Sequence, residues 1–566
     1  MKKLFKISVA LILAVILLVC AAGCANNPGN DPVKDPTNPP AVPTEEPAQP
    51  TEDPDPDVKR AEPLDLPYAD SFTVSRVFSN NMVIQRNERF RVWGWAEESE
   101  NGKKISGEFM GLYAEAVVEN GEWVMTFGAK LDACADMGNS MRIYTDKTEV
   151  VFKDVLVGDV YMVIGQSNCA YGMQTHWDYL TKSEEDQQKC TKDDVDPDMP
   201  IRLCYNTQNV TNGIQRGTEE VAKEIKGRNA WKVAKRSVVS SFSAIGYLFA
   251  WNYVKLTEGK VPVGMIEIDG NGQPLGAFLP NAIAEKYHTD TYNSSKGYYV
   301  TTGVNANWGR FLYNEYMYAF ERMAMAGVLW YQGESDLSDR EANRYASVYV
   351  DYMEYMRGTH NLTNRDFAVY FIEFPTQYTK PAGFTGTWAY MDVGKIRGIM
   401  GGMVTMANKF YQVQSSDVWA DREFWNTLHP NCKYEQALRA AKIACAVNGD
   451  GGITMENASG PIIESVEFSK DGKKVTLKYK NVGDGLKTID GSDTVKGFTG
   501  LSAENTLGAN LTGTIKGKDT VEITSKTKLA GIAYNVKTSY FFGEDINLCN
   551  SAEIPAGAFL LNNPDA

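Results

Sequence analysis

Histidine is scarce in this sequence, and its nine cysteines include no CxxC pair. No HExxH motif surrounds any of the four histidines, which are His176, His288, His360 and His429. Zinc sites are built mainly from such histidine and cysteine patterns. We therefore expect no bound metal, and no other cofactor is indicated.

The cysteines do not form a disulfide framework either. Removal of a signal peptide would leave Cys24, which is expected to carry a lipid, and seven other cysteines. These seven are an odd number and are widely spaced. Domains stabilised by disulfides usually carry an even set with regular spacing. A single bridge, such as Cys190 to Cys204, stays open as an alternative without support from the spacing.

Positively charged residues are outnumbered. The chain has 57 lysines and arginines against 71 aspartates and glutamates, which gives a formal net charge of -14 at pH 7. Nucleic acids and anionic membranes attract clustered lysine and arginine, so we expect no nucleic-acid partner. The 43% of hydrophobic residues and the length of 566 residues indicate a folded protein of several domains.

Residues 1–24 have the features of an export signal. Lysines precede an apolar run over residues 7–19, which is short for a stable membrane span. Small residues then lead to Cys24 and resemble a bacterial lipobox, although Ala21 stands where leucine is more usual. We expect cleavage before Cys24, a lipid on its thiol, and an extracytoplasmic protein whose only membrane contact is this anchor. A plain secretory signal is the alternative.

The rest of the chain divides into regions of distinct pattern. Residues 25–67 are proline-rich and acidic, with ten of the 23 prolines in residues 26–57, which predicts a disordered linker. Residues 68–154 and 450–566 show short alternating apolar runs between turn signals, which predict two β-sandwich-like domains. In residues 155–449 apolar strands alternate with helices. The predicted fold class is therefore α/β, with a mostly parallel central sheet.

A serine follows a predicted buried strand in the central region. The apolar residues 160–164 end at Gly165, and Ser167 comes two residues later. A strand, a tight turn and an exposed hydroxyl present the nucleophile of many α/β enzymes at the carboxyl edge of the sheet. Taken alone, a helix cap formed by Ser167 or Asn168 is the simpler explanation.

Two other loops also follow predicted strands. Residues 269–274 contain Gly-Asn-Gly, which suits an oxyanion hole but is also a common turn. Residues 330–336, WYQGESD, bring an amide and two carboxylates to the same sheet edge, or else cap a helix through Ser335 or Asp336. A base for the serine is available in His429, which precedes a predicted helix.

Three motifs in this order resemble one enzyme family. They are GQSN at residues 165–168, WYQGESD at residues 330–336 and HP at residues 429–430. Together they resemble the sialate O-acetylesterase branch of the SGNH (GDSL-like) carbohydrate esterases, and further similarity covers residues 70–566. The resemblance implies a flavodoxin-like SGNH domain and a serine-dependent hydrolase that removes acetyl groups from a carbohydrate.

The resemblance also implies roles for individual residues. Ser167 would be the nucleophile, and His429 would be the general base and then the general acid. The oxyanion hole would consist of the amides of Ser167 and Gly272 and the side chain of Gln332. Supporting roles around them fall to three residues: Gln166, Asn168 and Asp336.

One departure from the family pattern concerns the residue that orients the histidine. Relatives usually carry an aspartate two or three positions before it, where this chain has Asn426 and Thr427. Three interpretations stay open. Glu334 supplies the carboxylate, as in acetylxylan esterases with the same motif; a backbone carbonyl orients His429; or the site is lost and the protein only binds glycans at the cell surface. We favour Glu334, because it is expected at the same sheet edge.

The substrate class follows the same resemblance, which points first to O-acetylated sialic acids. Sialic acid carries a carboxylate, so its pocket should contain an arginine, for which Arg310 or Arg322 is available. Acetylated xylan or another plant polysaccharide is the alternative and needs no such partner. The sequence gives no indication of oligomeric state.

Overall fold

The computed structural model describes a set of ranges: residues 60–180, 189–205, 219–225, 231–293, 298–301, 309–375, 393–418, 429–502, 506–537 and 540–565. The predicted export signal with Cys24, most of the predicted linker, and Asn426 and Thr427 lie outside them. In these ranges no helix combines the length and the apolar character that crossing a bilayer requires.

The strands in chain order are β1 Thr73–Val74, β2 Val83–Gln85, β3 Phe90–Trp95, β4 Lys104–Phe109, β5 Leu112–Val117, β6 Glu122–Phe127, β7 Ser140–Tyr144, β8 Glu149–Lys153, β9 Leu156–Gly165, β10 Ile201–Tyr205, β11 Trp231–Val233, β12 Val263–Asp269, β13 Asp290–Asn293, β14 Tyr298–Thr301, β15 Gly327–Tyr331, β16 Ala368–Ile372, β17 Phe410–Val413, β18 Ile462–Phe468, β19 Lys474–Lys480, β20 Lys487–Thr488, β21 Val495–Leu501, β22 Leu507–Lys516, β23 Thr520–Thr524, β24 Gly531–Tyr534, β25 Leu548–Cys549 and β26 Phe559–Asn562. The α-helices are α1 Met173–Tyr179, α2 Arg236–Val239, α3 Ala244–Leu256, α4 Asn281–Tyr287, α5 Asp339–His360, α6 Gly394–Gly402, α7 Lys433–Asn448 and α8 Met455–Ala458.

Strand β9 lies at the centre of a mainly parallel sheet. The sheet order is β11-β10-β12-β9-β15-β16-β17, and β2 pairs with the first part of β9. Strand β11 runs antiparallel to β10, and the other pairs are parallel. All ten residues of β9 are buried, as expected for a parallel strand that is covered on both faces. The predicted central parallel sheet is therefore present.

The strand order creates a crevice at one edge of this sheet. Strands β9, β12, β15, β16 and β17 alone have the spatial order 2-1-3-4-5 of flavodoxin-like sheets. The chain therefore goes from β9 to β12 on one side and later to β15 on the other. Ligands of open α/β sheets bind outside the carboxyl ends of the strands at such a reversal. Here the reversal lies next to Ser167.

Two antiparallel sheets precede the central sheet and pack face to face. Their orders are β1-β3-β6 and β5-β4-β7-β8. Between them, the ring of Phe90 meets that of Phe109 edge-on, with centroids 6.1 Å apart. Two layers joined by apolar side chains match the predicted sandwich. Residues 60–67, assigned above to the linker, already contact this region, since the Ala61 amide donates to the Tyr113 carbonyl.

The C-terminal region is a β region, as predicted, and a second sandwich there stays a prediction. Its strands form one seven-stranded antiparallel sheet, β18-β19-β23-β22-β21-β24-β26, and a separate ribbon of β20 and β25. Helix α6 of the central region packs against β26. The approach is so close that a Cβ atom at Gly401 would lie 1.7 Å from the Ala558 carbonyl oxygen. This sheet thus packs on a helix of the central region.

At Gly165, the last residue of β9, the backbone lies very close to that of Tyr331, and a substitution at this position tests the packing. A Cβ atom there would lie 2.1 Å from the Tyr331 carbonyl oxygen. Gly165→Ala should therefore lower the free energy of unfolding by about 1–3 kcal/mol, measured by urea denaturation. Gly358→Ala in α5, where no atom lies within 4 Å, is the matched control and should be neutral or slightly stabilising. Equal stability of the two variants would contradict this packing.

Candidate active site

The three predicted loops meet at the end of β9. In the ladders, Gly165 is aligned with Asp269 of β12 on one side and with Tyr331 of β15 on the other. The Gly270 amide donates to the Gly165 carbonyl at 3.0 Å, and the Gln166 amide donates to the Tyr331 carbonyl at 3.2 Å. Parallel strands that end at the same level place their following loops side by side.

Ser167 lies half-buried in the turn after β9. The helix-cap alternative is wrong, because α1 begins at Met173 and its N-cap residue is Gly172. The turn is closed by the amides of Cys169 and Ala170, which both donate to the Gln166 carbonyl. Within the described ranges neither the hydroxyl nor the amide of Ser167 has a hydrogen-bond partner in the protein. Both groups are therefore available to a substrate.

The side chains of Gln166, Gln332 and Asp336 connect the three loops. Nε2 of Gln332 donates to Asp336 Oδ2 at 2.6 Å and to Gln166 Oε1 at 3.2 Å. Asp336 Oδ2 also accepts from the Leu275 amide after β12 at 3.0 Å. Asp336 does not cap α5, whose N-cap residue is Ser338. Burial raises the pKa of Asp336 to about 7.

Glu334 contacts Asn168, next to Ser167, and not His429. Its Oε1 accepts from Asn168 Nδ2 at 2.5 Å, and its buried Oε2 has no hydrogen-bond partner. Burial raises the pKa of Glu334 to about 7, against the lowering effect of the Asn168 hydrogen bond and of the charge on Lys433. The role of Glu334 as the acid of a triad stays a prediction, and in this structure the contact it would need is not made.

His429 lies just before α7, and its Nε2 atom is buried without a hydrogen-bond partner. Burial and, as the smaller cause, the charge of Lys433 together lower the pKa of this imidazole to about 4. The ring is therefore neutral at pH 7 and can accept a proton. Two other histidines are bonded to carbonyls, since His176 Nε2 contacts Lys189 O at 3.0 Å and His360 Nδ1 contacts Met323 O at 2.9 Å.

The donors predicted for an oxyanion hole differ in what they already contact. Gly272 lies exposed in the turn after β12 with a φ of 67°, a left-handed conformation that favours glycine. Gln332 is fully buried, and its Nε2 has a third acceptor, the Gln273 carbonyl, at 3.1 Å. The side-chain nitrogen of Gln332 thus already donates to acceptors in all three loops. A direct role for Gln332 on the substrate stays a prediction.

Both arginines suggested for a substrate carboxylate are paired with carboxylates of the protein. Arg310 is buried, and its Nε donates to Asp290 Oδ2 at 2.6 Å. Arg322 forms an ion pair with Glu122 of the first β region. Each side chain would therefore have to break its present ion pair before it could bind the carboxylate of a sialic acid.

Sequence reasoning missed Lys433, which is completely buried at the start of α7. Its Nζ donates to Asn168 Oδ1 and to the Pro430 carbonyl, each at 2.8 Å. One signal was present in the sequence: a lysine in the first turn of a helix lies at the positive end of the helix dipole, where cations are disfavoured. Its distant partner Asn168 could not be inferred from spacing.

Part of the chain matches a known enzyme family. Residues 225–383 match the model of the family described as carbohydrate esterase, sialic acid-specific acetylesterase. The resemblance to this esterase family is confirmed. The matched segment includes the loops after β12 and β15 and lies between Ser167 and His429 in the sequence. The match over these residues supports hydrolysis of an ester on a carbohydrate as the reaction class. No curated protein matches the chain.

Among solved structures, the carbohydrate acetylesterase XAC1771 from Xanthomonas citri is similar over 87% of this chain and 100% of its own, with 20% identity and a TM-score of 0.64. At that identity the match shows a shared fold. An Arabidopsis thaliana protein, AT4G34215, has 13% identity over 51% of this chain and 98% of its own, with a TM-score of 0.29. NanS has 14% identity over 45% and 78%, with a TM-score of 0.24.

The state of His429 gives a test of its role as the base. Replacing it in His429→Gln should lower kcat for acetyl ester hydrolysis by roughly 100- to 10,000-fold, whereas His176→Gln should keep kcat. Because the neutral ring accepts the proton, kcat/KM of the wild type should fall as the pH drops through about 4. An acidic limb at the ordinary histidine pKa of 6.5 would contradict the buried, unpaired state of this ring.

Proposed function

We propose that this protein is a serine-dependent O-acetylesterase that removes acetyl groups from carbohydrates, most directly from O-acetylated sialic acids. The observation that carries the proposal is the position of Ser167. This residue lies half-buried at the reversal of the strand order, between two loops rich in polar groups, and its hydroxyl has no hydrogen-bond partner in the described ranges. The matched esterase family supports the same reaction class.

The proposed reaction follows the acyl-enzyme route. Ser167 Oγ attacks the acetyl carbonyl while His429 Nε2 takes the hydroxyl proton. The negative charge on the carbonyl oxygen is stabilised by the amides of Ser167 and Gly272. His429 then returns the proton to the departing sugar oxygen, and the acetyl group stays on Ser167. Water repeats the attack with His429 as base and releases acetate.

A neutral polysaccharide is the second candidate substrate. Arg310 and Arg322 are both paired with carboxylates of the chain, so neither is poised for the carboxylate of a sialic acid. Acetylated xylan and other plant polysaccharides do not require such a cation. This observation favours them, whereas the family description favours sialic acid.

For location, we propose export with lipid attachment at Cys24. The support is the sequence of residues 1–24 alone, where lysines, an apolar run and small residues precede the cysteine. Such an anchor, followed by the proline-rich segment, would hold the esterase away from the membrane surface.

The decisive experiment compares acetate release by the wild type, Ser167→Ala and Ser241→Ala. Ser167→Ala should lose about 1,000-fold or more of the activity on a generic acetyl ester. Ser241→Ala, an exposed serine whose hydroxyl donates to the Val238 carbonyl, should match the wild type. Equal acetate release by the wild type and Ser167→Ala would contradict the role of Ser167, and no acetate release by either would support a glycan-binding protein without catalysis. Comparing O-acetylated sialic acid with acetylated xylan as substrates then decides the class.

A further inference from the structure

A fully buried lysine is hydrogen-bonded to the residues that follow both proposed catalytic residues. Lys433 is the first residue of α7, and its side chain has no exposed surface. Burial of an ammonium group is costly, and burial lowers the pKa of Lys433 to about 8. The positive end of the helix dipole adds to the cost. A cation kept in such a place needs compensating contacts.

The contacts of Lys433 bridge two turns that are far apart in sequence. Its Nζ donates to Asn168 Oδ1 at 2.8 Å and to the Pro430 carbonyl at 2.8 Å. Asn168 follows the proposed nucleophile directly, and Pro430 follows the proposed base directly. The same Nζ lies 5.0 Å from the ring centroids of Tyr171 and Tyr331, which give a cation a favourable surface.

Asn168 is held from its other end as well. Its Nδ2 donates to Glu334 Oε1 at 2.5 Å, while its Oδ1 accepts from Lys433. The amide therefore lies between a carboxyl group and an ammonium group, each bonded to the matching end. An amide with both ends bound in this way cannot rotate without losing a buried hydrogen bond. The nucleophile turn is thereby fixed in one conformation.

We infer that Lys433 is a positioning residue of the esterase, which holds His429 and Ser167 in register by tying the Pro430 carbonyl to the side chain of Asn168. The inference rests on the proposed function. In relatives an aspartate before the histidine orients the imidazole, but in the described ranges no carboxylate is bonded to His429. Under this inference Lys433 takes over part of that role, because its hydrogen bonds fix the turn that carries His429.

The charge of Lys433 acts on the base as well. Among the described residues, the groups whose charge acts on Lys433 are Glu334, Cys169 and Cys432, and the rings of Tyr171 and Tyr331 lie 5.0 Å from its Nζ. In the same part of the chain, the charge that acts on His429 is that of Lys433. The ammonium disfavours protonation of His429, so it keeps the imidazole neutral at lower pH. Loss of this charge should raise the pKa of His429. The acidic limb of kcat/KM would then move to higher pH.

The test compares Lys433→Met with Lys442→Met, a matched change on the same helix at a half-buried lysine. Lys433→Met should lower kcat by about 100-fold with little change in KM, because the reacting groups are displaced. It should also move the acidic limb upward. Lys442→Met should keep the kcat and the pH profile of the wild type. Thermal unfolding checks that each variant is folded.

A second variant breaks the same bridge from the other side. Asn168→Ala should lower kcat and leave the acidic limb in place, since the charge of Lys433 remains. The double variant with Lys433→Met should lose much less than the product of the two single losses, because both changes remove one interaction. If Lys433→Met does not fold, Asn168→Ala decides, and a wild-type kcat in that variant would overturn the inference.

Other outcomes separate the inference from the proposed function. Suppose that Ser167→Ala is inactive and that Lys433→Met has the same kcat and the same acidic limb as Lys442→Met. This result would overturn the role of Lys433 and leave the proposed esterase function in place. Multiplicative losses in the double variant would also overturn it. An active Ser167→Ala would overturn the proposed function itself.

Discussion

Hydrogen bonding of β9 on both sides is the constraint on which the site depends. This strand pairs with β12 along one edge, with β15 along the other, and with β2 at its beginning. Its full burial leaves no freedom to shift its register, because a shift of one residue would exchange the two faces of the strand. Gly165, Asp269 and Tyr331 therefore end at one level, and the loops that follow them must meet.

The central strands, their parallel direction and the position of the loops that follow them could be predicted from the sequence, because buried strands leave a clear apolar pattern. Apolar runs before Ser167 and before Gln332 predicted both strands, and the alternation with helices predicted that they are parallel. Loops at one sheet edge then follow from geometry alone. The arrangement of the C-terminal strands could not be predicted, because alternating strands do not reveal whether a sheet covers its face with another sheet or with a helix such as α6.

Side-chain partners across the site could not be predicted in the same way. Glu334 was expected near His429, but the structure bonds it to Asn168, because the angle at which a loop leaves its strand decides which neighbour a carboxylate reaches. The bridge from Lys433 to Asn168 joins residues 265 positions apart. Arg310 looked available in the sequence, since its partner Asp290 lies on a strand that apolar patterning did not reveal.

The central claim is that Ser167 carries the acetyl group between the two halves of the reaction. Acid quenching of the enzyme during turnover of an acetyl ester, followed by mass spectrometry of its peptides, tests this most directly. The account predicts an acetyl group on the peptide that contains Ser167, on Ser167 itself, in the wild type and none there in Ser167→Ala. Rapid acetate release with no acetylated Ser167 at any time, or an acetyl group that accumulates on another residue and turns over, would contradict it.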